Sequence, residues 1–569
     1  MRSLTTILFP VDDRPSIRKI IQVKIRYFLI LGIYAFGLTA SLHAQQVPVV
    51  EKTLSNGMRI LLVPRKDEAT VAGGWVAHVG SSNEKPGITG IAHLFEHMMF
   101  KGTPTIGTKD YAKDQKIIAE QEAVRDEMRA EEAKSRVAFR KGDIDCLPHQ
   151  IDERRMHDES AEGYAQRLAS AKDRKADITD LLQPENMTPR WRELKKKFDE
   201  LVKEQREILV KSEFDSIYTS AGGMHMNAFT TEDMTAYFIS VPANKLELWM
   251  WMESERLLHP VFREFYAERD VVFEERRMRT DSTPLGKFSE EFNAMFWQSS
   301  AYHWPVIGWP SDIPAISKKQ ADEFYSIYYA PQNITPILVG DFDVATTEAM
   351  AEKYFGRIPA GTKAPPDVVT IESNQEAEKR MNAEAEANPQ VDILWHTAPF
   401  GHKDSYVLDV LSELLSTRTG RLYKGLVLGS QVANDVSAGI DSRKWAGAFE
   451  ISGEAKDGRT PEELEKGIYA ELDKLKKDDV PPDELQKVKN NFAAAEYRKL
   501  TGNMGILMNL IQNEWEGDWH EINDSAKHIQ AVTAADIKRV VTQYFKKENR
   551  AVAIYTRKAA TAATKEETK

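Results

Sequence analysis

Eleven residues, Gly90-Ile-Ala-His93-Leu-Phe-Glu96-His97-Met-Met-Phe100, constrain the fold of this chain more than any other stretch. Ile91, Leu94, Phe95, Met98, Met99 and Phe100 spell an apolar helix that belongs in a core. His93, Glu96 and His97 interrupt it. His93 and His97 are four apart, so both imidazoles leave one helix face a turn apart, and Glu96 follows His93 by three. Buried polar groups need partners. The fold must therefore bring other polar side chains, or a metal, against this helix.

Two histidines at this spacing can chelate one zinc ion with Zn–N near ~2.0–2.1 Å. A carboxylate at Glu96 can reach water held there and take its proton, which is the chemistry of peptide-bond hydrolysis. The order is H-x-x-E-H, the inverse of H-E-x-x-H. The single cysteine, Cys146, excludes a cysteine-based zinc site, so a third ligand must be His or a carboxylate. The best source is Phe262-Arg-Glu-Phe-Tyr-Ala-Glu268-Arg-Asp-Val-Val-Phe-Glu-Glu275, where Glu264, Glu268 and Glu275 share one helix face. Such a charged face is, taken alone, more often simply solvated.

With 569 residues, 42% hydrophobic and 29% charged, the chain is globular and long enough for several domains. Arg18, Lys19, Lys24 and Arg26 precede the apolar run Tyr27–Ala40, and Ser-Leu-His-Ala44 then ends in a small residue before Gln45. Residues 1–44 therefore read as a secretory signal peptide, and the 14-residue run is short for an uncleaved anchor. The remainder carries 70 basic and 85 acidic side chains, a net charge of −15 that disfavours nucleic acid. A lone thiol in an exported chain suits the periplasm. No membrane span is expected after cleavage.

Strand-like runs occur at Met58–Val63 and Val71–Val79, with Thr89 a suitable N-cap for the following helix. Residues 110–215 are instead rich in Glu, Lys, Arg and Ala, predicting helices near 110–140, 150–182 and 189–213 as a solvated insertion. Strand alternation returns over 222–240, and helices are expected at about 243–257 and 262–280. The Trp249–Met252 cluster reads as core. The expected organisation is a first domain over 45–357, a Pro/Ala/Glu-rich linker over 358–390, a second α/β domain over 391–557 and a frayed tail over 558–569. Val71–Val79 with its loop and helix is echoed by Val391–Thr397 and the helix over 404–416, which hints at duplication.

Gly80-Ser-Ser-Asn-Glu84, the His93–His97 helix with Lys101-Gly-Thr103, Asn227-Ala-Phe-Thr230, Glu268–Glu275, Tyr328-Tyr-Ala-Pro-Gln-Asn333 and Val339-Gly-Asp341 together resemble the pitrilysin/insulysin inverzincin peptidases, which include mitochondrial processing peptidase. The resemblance covers nearly all of the chain after the leader except 110–215. It implies an α+β fold of two homologous α/β domains, each a mixed sheet on helices, forming half of a clamshell. It implies one Zn²⁺ held by His93, His97 and Glu275, with Glu96 as general base and Glu268 as a supporting carboxylate. Glu274 is the competing third ligand. Asn227, Ala228 and Phe229 would lie on an edge strand that binds peptide substrates by strand addition. The family separates helix and third ligand by roughly 75–80 residues; here His97 and Glu275 are 178 apart, and the insertion accounts for the excess.

One departure stands out. In complete sites of this family the second domain supplies an Arg and, seven residues later, a Tyr. Here Val427 and Asn434 take those places, with Arg421 nearby as a substitute. This implies a zinc-bearing subunit whose homologous, non-zinc partner supplies the Arg and Tyr, with a homodimer as the rival. A non-catalytic scaffold, or a docking module using the insertion, is the alternative from another class.

Overall fold

The computed structural model describes residues 46–143, 181 and 184–558. The leader, most of the helix expected over 150–182 and the tail after Lys558 lie outside the described residues. The chain first forms β1 (Val50–Thr53), β2 (Arg59–Pro64), β3 (Thr70–Ala77), α1 (Ile91–Met98), α2 (Tyr111–Lys141), α3 (Pro189–Ile208), α4 (Glu213–Ser220), β4 (Met224–Thr230) and β5 (Thr235–Pro242). Then come α5 (Leu246–Leu258), α6 (Phe265–Arg276), α7 (Gly286–Phe296), α8 (Lys318–Tyr328), β6 (Ile334–Gly340) and α9 (Val344–Tyr354). The second half forms β7 (Lys379–Ala385), β8 (Gln390–Thr397), α10 (Lys403–Ser416), β9 (Ala433–Ser442) and β10 (Gly447–Ala455). It ends with α11 (Pro461–Lys477), α12 (Pro482–Lys499), α13 (Asn503–Glu516), α14 (Glu521–Ala531), α15 (Ala534–Tyr544) and β11 (Arg550–Arg557).

The strands make two sheets, ordered β1-β2-β6-β3-β5-β4 and β7-β11-β8-β10-β9. In the first, β2 and β6 are parallel and every other neighbouring pair is antiparallel. In the second, β7 and β11 are parallel and the rest antiparallel. Apart from β1 the two orders are the same, so β3 and β8 are equivalent, as are the edge strands β4 and β9. The internal echo is a true repeat of topology, and the architecture is α+β with two homologous halves.

The central strands of the first sheet are buried on both faces, one face of the second sheet is covered in part, and the cover is exchanged. One face of the first sheet packs Val71 and Trp75 against Ile91, Phe95 and Trp249. Its other face packs Ala72, Val76 and Val339 against Leu507, Leu510 and Ile511 of α13, a helix from the second half. In return, Phe292 and Phe296 of α7, from the first half, pack on Leu394, Ala551 and Ala553 of the second sheet. Gly73 and Gly74 in β3 answer to this closeness. A Cβ on Gly73 would sit 2.6 Å from the Trp249 ring, and one on Gly74 2.8 Å from the Tyr237 carbonyl.

The insertion is a helical hairpin of α2 and α3. Asp110 caps α2 through Lys113 N, and Thr188 caps α3 through Trp191 N ahead of Pro189. Its two ends meet in a bridge between Thr108 and Leu209. That bridge is why the helix expected over 189–213 stops at Ile208 and resumes as α4 at Glu213. Among the described residues, no helix is long and apolar enough to cross a membrane.

Candidate metal centre

α1 is fixed at its start by backbone rather than by the expected cap. Gly90, at φ 91°, takes the N-cap position, and a Cβ there would lie 2.5 Å from the Ile307 carbonyl. Glu84 accepts hydrogen bonds from Gly90 N and Ala92 N, both at 2.8 Å, so its carboxyl satisfies the first turn. Thr89 does not cap the helix; its hydroxyl donates to Asp312 Oδ2 at 2.9 Å. Burial pushes the Glu84 carboxyl well above the usual carboxylate range, against the pull of the Ala92 and Gly90 amides. The body of α1 is held by Phe95, which stacks on Phe324 and Tyr325 and meets Phe262 edge-on.

α6 begins at Phe265, later than expected, because Glu264 adopts φ 51° and lies outside the helix. Its C-terminal end is tied to the strap that crosses Gly90. Arg276, 2% exposed, donates to both Glu290 oxygens at 2.6 and 2.7 Å and to the Gly308 carbonyl at 3.0 Å. One strap thus registers both helices that carry the site.

His93, His97 and Glu275 converge so that their candidate ligand atoms all lie within 4.8 Å of one another, the one such group of His, Cys, Asp or Glu among the described residues. Glu275 Oε2 is 3.4 Å from His97 Nε2 and 3.8 Å from His93 Nε2. Ligands about 2.0–2.1 Å from a tetrahedral zinc stand roughly 3.3–3.4 Å apart. The donor set and its spacing therefore fit zinc. Glu274 turns outward to Arg277 at 2.9 Å.

The surroundings support that chemistry. His97 Nδ1 lies 3.4 Å from Glu268 Oε2, leaving Nε2 to face Glu275, and Lys101 binds the other Glu268 oxygen. Burial holds His93 down at about 3, helped by the charges of His97 and Arg279, so its ring stays neutral. Burial also lowers His97, but the hydrogen bond and charge of Glu268, with Glu275 and Glu96, outweigh it and raise the group overall. Burial raises Glu268, yet His97 and Lys101 hold it below the usual range. Burial lifts Glu96 above its ordinary value despite a 2.8 Å hydrogen bond from the Thr230 hydroxyl to Oε2.

Thr230 ends β4, the outermost strand of its sheet. Ala228 is buried beside α1, while Asn227 is exposed and turns its amide oxygen to Ala228 N at 2.9 Å. Phe229 points to the other face, where its ring meets Phe238 over α13. A cavity of about 740 Å³ opens between Glu96, His97, the β4 residues Met226–Ala228 and the root of the insertion at Leu209–Asp215. Ser212 and Glu264, two of the four non-glycine residues with positive φ among the described residues, line it. In the second half Arg421 is paired with Glu484 at 2.7 Å, Val427 packs on the local core, and Asn434 donates to Glu454 at 2.8 Å.

Sequence reasoning missed Thr230, Lys101, Arg279 and the capping role of Glu84. Thr230 and Lys101 stood inside quoted motifs, and Arg279 stands four residues after Glu275, within reach on a helix.

A repeated α/β half with an H-x-x-E-H helix and a carboxylate converging from a second helix is the inverted form of the zinc-peptidase centre. Residues 59–139 match the insulinase family, peptidase family M16, and residues 315–492 match the peptidase M16 inactive domain. The zinc protease PqqE of Helicobacter pylori is 30% identical over 348 residues, 59% of this chain and 77% of that protein. The chain belongs to the M16 peptidase family. The crystal structure of a protease from Helicobacter pylori has the same fold, with a TM-score of 0.68 at 23% identity, over 90% of this chain and 100% of that one. The periplasmic protease PqqL of Escherichia coli matches with a TM-score of 0.62 at 16% identity, over 90% of this chain but 48% of its own. This chain thus corresponds to half of that larger fold.

Proposed function

We propose that this chain is the zinc-bearing, catalytic subunit of an endopeptidase exported to the periplasm that cleaves unfolded peptides or small proteins. The observation that carries the reading is the convergence of His93, His97 and Glu275 with Glu96 beside the free edge of β4. The relatives named as zinc proteases support it. The organisation that goes with it is a leader over 1–44, a metal-bearing domain over 45–357, a linker over 358–390 and a metal-free domain over 391–557.

An extended peptide adds to β4 through main-chain hydrogen bonds, with one side chain entering the adjoining cavity. His93 and His97 present Nε2, and Glu275 presents Oε2, to the metal. Zinc bound there would polarise the scissile carbonyl and make water more acidic. Glu96, whose Oε2 lies 3.9 Å from His93 Nε2 and is steadied by Thr230, takes a proton from the attacking water and delivers it to the leaving amine. Its raised affinity for protons suits that double role. Glu268 keeps His97 in the tautomer that leaves Nε2 free.

Arg421, the substitute that the resemblance offered for the substrate carbonyl, is committed to Glu484. This supports a homologous partner that supplies Arg and Tyr. The test is to purify the chain from Gln45, measure its zinc, and assay quenched unstructured peptides with Glu96→Gln as the blank. Expected are one zinc per chain, little turnover alone, turnover on adding the partner, and about a 10²–10⁴-fold loss in Glu96→Gln with zinc retained. Cleavage by the lone chain would exclude the heterodimer, and turnover in Glu96→Gln would remove Glu96 from the mechanism.

A further inference from the structure

We propose that Arg279 is a positioning residue for the metal, holding one oxygen of Glu275 so that only the other faces the two histidines. This rests on the reading of His93, His97 and Glu275 as zinc ligands. Glu275 divides its carboxylate between two neighbourhoods. Oε2 lies 3.4 and 3.8 Å from the histidine Nε2 atoms, and Oε1 lies 2.6 Å from Arg279 Nη1. A carboxylate with both oxygens free can ligate through either or both, or rotate away. Engaging Oε1 removes those choices and leaves a one-oxygen ligand, with room on the metal for water and a substrate carbonyl.

The neighbouring arginines show what an arginine here does when it serves the fold. Arg276 is buried on Glu290, Gly308 and Asp281, and Arg277 pairs with the outward-facing Glu274. Arg279 is different: its side chain is 74% exposed and Glu275 is its one acidic partner among the described residues. So exposed a pair adds little to folding. Its backbone also stands out, because Arg277–Asp281 is a π-helical turn closed by Ser282 N on the Arg277 carbonyl, and such turns recur at functional sites.

The test uses the chain from Gln45 as wild type, Arg279→Ala and Arg279→Lys, loaded with Co²⁺ as a spectroscopic probe and separately titrated with Zn²⁺ against a chelator. Arg279→Ala is expected to bind zinc about 10–100-fold more weakly. Its cobalt absorption should shift toward a higher coordination number as Glu275 ligates through both oxygens. Arg279→Lys, which keeps the charge and one donor, should recover part of both. The metal-free variants should unfold like wild type, since the side chain is exposed. Arg279→Ala with wild-type zinc affinity and cobalt spectrum would overturn the role of Arg279 alone. Wild-type protein that takes up no cobalt or zinc would overturn the ligand assignment, and the role with it.

Discussion

Asp114→Ala should be among the most damaging single changes in the insertion, although Asp114 is not one of the candidate metal ligands. Its carboxylate is wholly buried and accepts from Arg263 Nε at 2.5 Å and from Gln205 Nε2 at 2.9 Å. Arg263, 1% exposed, spends its other donors on the carbonyls of Lys101, Ile106 and Thr103, in the loop that follows α1. One arginine therefore binds the root of the insertion to the loop that carries Lys101, the partner of Glu268. Removing the acid leaves a guanidinium charge buried with neutral carbonyls only, a loss of about 3–5 kcal/mol. That is a large share of the ~5–15 kcal/mol by which such folds are stable. Asp199→Ala makes the control. It removes a surface pair with Lys195 four residues away, worth roughly 0.3–0.5 kcal/mol. Arg263→Met should cost at least as much, because it leaves the buried Asp114 carboxylate with only its bond from Gln205 and strips the donor from the carbonyls of Lys101, Ile106 and Thr103. The assay is urea unfolding of the metal-free chain followed by tryptophan fluorescence. Asp114→Ala within about 1 kcal/mol of wild type would show that the buried pair does not root the insertion, and the reasoning from burial would fail.

Two further outcomes are expected. Gly90→Ala forces a Cβ to 2.5 Å from the Ile307 carbonyl at φ 91°, so it should cost roughly 2–4 kcal/mol and weaken zinc binding by displacing the start of α1; unchanged zinc affinity by chelator competition would refute the link between the strap and the site. Glu516 is raised to about 8, first by burial and then by Asp409, Asp441 and Glu521, and Asp409 is raised to about 7 by burial and Glu496. Both groups hold a proton more tightly folded than unfolded, so their contribution is present below about pH 4 and is lost as pH rises through 7–8. Melting temperatures of wild type and Glu516→Gln across pH 6–9 should diverge in favour of the variant at the alkaline end, and a gap that closes instead would contradict the burial of Glu516.

The geometry of the candidate metal site was legible where its physics is local. The spacing of His93, Glu96 and His97 fixes their common face, and the seven-residue interval from Glu268 to Glu275 returns both carboxylates to one side of α6. What was not legible depends on distant chain. Thr89 is a sound N-cap by residue type, yet Glu84 reaches the same amides from six residues earlier and leaves Thr89 to Asp312. Glu264 looks like a continuation of the acidic face of α6, but its left-handed backbone ends that face. Phe229 reads as part of a substrate strand, and strand alternation sends its ring to the opposite side from Ala228.

The exchanged helices explain a pattern that was visible but not interpretable. β3 and β6 are almost wholly buried along their length, with none of the polar alternation of a sheet wetted on one face. Such strands demand cover on both sides, but nothing local says where the second cover comes from. It comes from α13, across the topological repeat. The same half also reaches the end of the candidate substrate strand. Lys444 N donates to Asp233, Trp445 N donates to the Tyr302 hydroxyl, and Arg443 lies 3.0 Å from Glu232, all in or against the turn that follows Thr230. The second half, which adds no residue to the candidate ligand group among the described residues, therefore shapes the sheet beside the candidate metal site from behind and at its edge. Its own position equivalent to α1 is α10, filled with Val407, Leu408, Leu411 and Leu414, where core packing has taken the place that His93, Glu96 and His97 hold in the first half.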